Sequence, residues 1–68
     1  MSTTIARIKS ERGSNVIDVY VSSVSDSITV FVHEEKINVG HKVLLTEETW
    51  RELITALEVA GNHKGWEQ

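Results

Sequence analysis

Two stretches of this chain alternate at the two-residue period of a strand: Val16 to Val21 (VIDVYV) and Ile28 to His33 (ITVFVH). Both are built from β-branched and aromatic residues, which fit a pleated surface. The polar run Ser22 to Ser27 between them is short enough to close a hairpin. Upstream, Thr4 to Lys9 (TIARIK) is a short β-type run with mixed alternation, and Ser10 to Asn15 reads as a polar turn. Downstream, Ile37 to Leu45 holds a further strand, centred on Lys42 to Leu45, with Gly40 as a turn or bulge and His41 as a turn residue. The period then changes. Trp50, Leu53, Ile54, Leu57 and Ala60 recur at helical spacing, with Arg51, Glu52, Thr55 and Glu58 on the other side. Thr46 suits the N-cap, Glu47 and Glu48 suit the positive end of the helix dipole, and Gly61 can end the helix. A helix from Glu47 to Ala60 is predicted.

The expected fold is therefore α+β: a four-stranded antiparallel meander with one C-terminal amphipathic helix packed on one face. The domain spans 1–62, and 63–68 form a tail. The apolar face offered to the helix carries Ile17, Val19, Val21, Ile28, Val30 and Val32. The strand period then puts Val16, Asp18, Tyr20, Thr29, Phe31 and His33 on the opposite face. Nothing in the chain is expected to cover that face, where Tyr20 and Phe31 would lie close together. Adjacent exposed aromatics flanked by polar groups suggest a contact surface. Three uses are open: dimerisation, docking of another protein, or stacking of single-stranded nucleic acid. Trp66, in the polar tail, is either an anchor folded back on the domain or a partner-binding residue.

Size and charge narrow these uses. With 68 residues the core is marginal, and with no cysteine there is no disulfide to support it. A homodimer is the expected remedy. Seven Lys and Arg against ten Asp and Glu give a net charge of −3, unlike the basic footprint of a duplex-DNA binder. No apolar stretch approaches a membrane span, and the opening Met-Ser-Thr-Thr-Ile-Ala-Arg lacks a signal peptide's apolar run. A cytoplasmic protein without membrane association is expected.

Catalytic chemistry has no clear carrier. His33, Glu34 and Glu35 are consecutive, so on a strand end they point to opposite sides and do not converge on a metal. The serines cluster in turns with no nucleophile-elbow pattern, and the four glycines form no phosphate-binding loop. No catalytic residue, metal or cofactor is expected.

The segment from Gly40 through Ile54 (GHKVLLTEETWRELI) resembles part of the positive-cofactor-four family of single-stranded DNA-binding proteins. Shared features are a lysine-bearing strand, a Leu-Thr cap, and Trp and Leu at matching helix positions. The resemblance covers about fifteen residues. It implies a ββββα homodimer that grips single strands on a curved sheet, with Lys42 near a phosphate and Trp50 in the helix core. The chain departs from that family in being acidic, with only Lys9 and Arg12 near the first turn.

The function expected from these residues is that of a small, acidic, non-enzymatic interaction module. It would bind and modulate a larger protein as a homodimer, in the manner of a phage-type or bacterial accessory protein. Tyr20, Phe31, His33 and Asp18 would form the contact face, with Trp66 as an outlying candidate. The alternative is single-stranded nucleic-acid binding on the same face, with Arg7, Lys9, Arg12 and Lys42 meeting phosphates.

Overall fold

A computed structural model describes residues 2–66. The element order is β1 (Ser2–Lys9), β2 (Asn15–Ser22), β3 (Ile28–Glu34), β4 (Gly40–Leu45) and α1 (Glu47–His63). The strands form one antiparallel sheet in chain order, so the α+β meander ending in a helix is as the hydrophobic pattern predicts. In the central hairpin Ile17 faces Val32, Val19 faces Val30 and Val21 faces Ile28, while Asp18 faces Phe31 and Val16 faces His33. The two faces therefore carry the residues expected of them.

One register detail departs from simple alternation. The pairing of β1 with β2 slips between Thr4 and Ala6, so that Thr4 faces Tyr20 yet Arg7, not Ala6, faces Asp18. Such a bulge inserts one residue and re-aims the side chains after it. Thr4, Arg7 and Lys9 consequently share the face of Asp18.

The burial of the two faces is the reverse of what was expected. Val16, Asp18, Phe31 and His33 are buried, Asp18 completely. On the apolar face Ile17 is 40% exposed, Val32 42% and Val43 52%. The cause lies at the junction of sheet and helix. Only Thr46 separates β4 from α1, and the helix touches the sheet through β4 alone. No residue of α1 is buried, and Trp50, Leu53, Ile54 and Leu57 all remain exposed. The helix is thus amphipathic as expected, but it does not cover the Ile17–Val32 face within the chain.

The start of α1 is capped as anticipated. The Thr46 hydroxyl accepts from the Thr49 amide at 3.4 Å, and the Thr46 amide donates to the Thr49 hydroxyl at 2.8 Å. The end differs: the helix continues through Gly61 to His63. Its terminator is Gly65, at φ 76°, where the left-handed conformation suits glycine. The Trp66 amide donates to the Gly61 carbonyl at 2.9 Å and the Gly65 amide to the Asn62 carbonyl at 3.0 Å, the paired bonds of a Schellman motif. His63, assigned to the tail from sequence, is the last helical residue.

Candidate functional site

Asp18 sits mid-strand in VIDVYV, a charged residue between β-branched neighbours. A buried carboxylate is costly unless it is paired and hydrogen-bonded. Here it accepts four bonds. Arg7 Nε donates to Oδ1 at 2.7 Å and Arg7 Nη2 to Oδ2 at 2.8 Å, a bidentate fork made possible by the β1 bulge. The Tyr20 hydroxyl donates to Oδ2 at 3.1 Å and His33 Nε2 to the same oxygen at 2.7 Å. The Arg7 guanidinium, ahead of His33, holds the Asp18 carboxyl far below the usual carboxylate range. The Asp18 hydrogen bond raises the His33 pKa, and burial opposes that rise. Burial, then the bond to Asp18, raises the Tyr20 phenol.

The connection between β3 and β4 closes over this cluster. The Glu35 amide donates to the Ser14 carbonyl and the Ile37 amide to the Glu34 carbonyl. Glu35 pairs with Lys9 at 2.7 Å, which lowers the Glu35 pKa. The Phe31 and His33 rings stack with centroids 4.3 Å apart, and the Lys42 ammonium lies 5.2 Å above Phe31. Gly40, opposite His33, is needed for close approach: a Cβ there would collide with the Val32 carbonyl oxygen and come 2.8 Å from His33 Cβ.

The structure thus brings together Asp18, Tyr20, Phe31 and His33 with Arg7, Lys9 and Lys42. It does not leave them all on an open surface. Phe31 is only 5% exposed, so it offers no free ring face, and Arg7 and Lys9 are committed to carboxylates. Arg12 lies in the β1–β2 turn, where its backbone bonds to Ser10. Trp66 is 71% exposed at the far end of α1, apart from the cluster; its backbone amide bonds to the Gly61 carbonyl and its ring edge lies beside Gly61. What stays accessible is a groove of about 480 Å³ lined by Ser2, Tyr20, Thr29, Phe31, Asn38 and Lys42. Its lining contains no carboxylate, and Lys42 pairs with none among the described residues.

Sequence reasoning missed Asn38 and the Ile37 carbonyl, and weighed Glu35 only as a metal ligand and not as the partner of Lys9; all three reach the face from the β3–β4 connection. A legible signal did exist: an aspartate in the middle of an apolar strand calls for a buried cationic partner. Among the described residues no group of three or more His, Asp or Glu side chains is arranged to hold a metal, and no helix is long and apolar enough to cross a membrane. No family model, curated protein or solved structure matches this chain, so its functional reading rests on the geometry above.

Proposed function

We propose that this chain is a non-enzymatic interaction module that works as a homodimer. The apolar sheet face and the α1 stripe are apposed to a second copy, and the Tyr20–Lys42 groove is presented to a protein partner. The observation that carries the reading is the uncovered apolar surface. The accessible area is 5984 Å² for 7.6 kDa, whereas a compact monomer of that mass exposes about 4,300 Å². The radius of gyration is 13.4 Å, against about 11 Å expected for a compact chain of this length. The excess, about 1,700 Å² per chain, is what each subunit of an obligate homodimer buries. The proposed dimer interface is the exposed apolar face opposite Tyr20 and Phe31, an arrangement that would leave the groove free in the assembly. Lys42, the groove's one cation, suits an acidic protein segment.

Single-stranded nucleic acid is the weaker reading. Phe31 is buried and two of the four basic residues named for phosphate contacts are neutralised within the sheet. Light scattering tests the assembly: the expected mass is twice that of the chain, and Ile17→Glu should halve it or leave the chain unfolded. A monomeric, folded wild type at micromolar concentration would overturn the dimer. A fluorescence titration with labelled oligothymidine at low and moderate salt separates the two partner classes. Salt-sensitive micromolar binding would favour nucleic acid; no binding at low salt would favour the protein partner.

A further inference from the structure

His33 is a ring on the polar face whose three polar neighbours are all acceptors. Its Nε2 lies 2.7 Å from Asp18 Oδ2. Its Nδ1 lies 2.6 Å from the Glu34 carbonyl oxygen and 2.8 Å from that of Ile37. A neutral imidazole carries one N–H, so one of its nitrogens would direct a lone pair at an oxygen. No water can relieve that repulsion, because the ring is fully buried. Only the imidazolium, with a proton on both nitrogens, satisfies all three oxygens.

From this geometry we infer that His33 is a buried cationic clamp that fastens the β3–β4 connection to the sheet, and that loss of its proton releases the connection and reshapes the rim of the polar groove. The clamp has two jaws. One nitrogen grips β2 through Asp18; the other grips the connection through the Glu34 and Ile37 carbonyls, at the two ends of the 34–37 turn. Asn38 follows directly and forms part of the groove's rim, so releasing the turn alters the groove itself.

The charges around the ring act together. From β2, Asp18 is the counter-ion and Tyr20 its neutral hydrogen-bond donor; from β1, Arg7 shares Asp18, and Lys9 reaches over to Glu35. From β3 the Phe31 ring stacks on the imidazolium, and from β4 Lys42 sits above that ring on its way to solvent. His41 of β4 faces Val32 and so lies on the other side of the sheet. Asp18 already has the fixed Arg7 cation, so it stays ionised when His33 loses its proton. Deprotonation therefore removes the clamp without removing the sheet's other ion pair, and the response is local to the connection. This holds whichever partner the groove takes, and does not depend on the chain being dimeric.

The test needs only the wild-type protein. Its His33 ring nitrogens are followed by ¹⁵N NMR across pH, together with the backbone amides of Glu35, Ile37 and Asn38. The expected result is two protonated His33 nitrogens at pH 7, with a single transition above the ordinary value of 6.5. The three amides should move with the same midpoint, and the protection of the Glu35 and Ile37 amides, corrected for the base-catalysed intrinsic exchange rate, should fall at least tenfold above it. A His33 ring that is neutral at pH 7, or one that titrates while those amides stay still, would overturn the clamp. His33→Gln gives a second check. It can donate to Asp18 but cannot also reach the two carbonyls, so protection in the connection should be low at all pH values, with no step at the His33 midpoint.

Discussion

At the scale of single residues, the polar face is held by groups whose protonation states matter. The pKa of His33 is raised on folding, so its stabilising contribution is complete below 6.5 and is lost as pH rises through the raised value. Asp18 and Glu35 are depressed, so theirs is present above their ordinary values of 3.8 and 4.5 and is lost as pH falls through the depressed ones. Stability should therefore peak between about pH 5 and 6.5 and decline on the alkaline side, as urea midpoints measured across pH will show. Arg7→Lys should lower those midpoints at every pH, because an ammonium cannot reproduce the bidentate fork on Asp18. Gly40→Ala forces a methyl against the Val32 carbonyl beside His33 and should cost about 1–3 kcal/mol, the usual range for overpacking.

At the scale of elements, the strands were legible because β-branched residues alternate in VIDVYV and ITVFVH between clearly polar turns. The helix start was legible because Thr46 precedes two acids and a periodic stripe. Its end was not. Gly61 and Gly65 are equally permissive in sequence, and the left-handed residue is fixed only by where the Trp66 amide finds a carbonyl. Gly65→Ala should accordingly cost about 1 kcal/mol and fray the last turn, read as lost amide protection at Asn62 to Lys64, while Gly61→Ala should instead stabilise the helix by a similar amount. The β1 bulge was equally hidden. TIARIK alternates acceptably in either register, and only Asp18's need for a cation selects the one that brings Arg7 to it. The assignment of an inner and an outer sheet face failed for a related reason. A pattern of apolar positions shows which surface must leave water but not which chain covers it. The single residue between β4 and α1 sends the helix away from its own strands.

At the scale of the whole molecule, the proposed dimer would couple folding to assembly through the uncovered apolar face. If a second copy supplies the cover, the melting temperature should climb with protein concentration, because dissociation is linked to unfolding. Calorimetry over a hundredfold dilution checks this. A Leu53→Glu chain should show a lower, concentration-independent transition, since that charge falls within the stripe that must be buried. The strictly consecutive strand order also has a kinetic consequence. Every strand pairs with its neighbour in the chain, so no long loop must close before the sheet forms, and low contact order favours rapid folding. In the proposed dimer the slow event would then be the encounter of two half-finished surfaces. Refolding should split into a fast first-order rise in β-structure and a later second-order burial of Trp50, whose rate scales with concentration. Between the two stages the chain exposes its aliphatic sheet, and that interval is when it is most prone to aggregate.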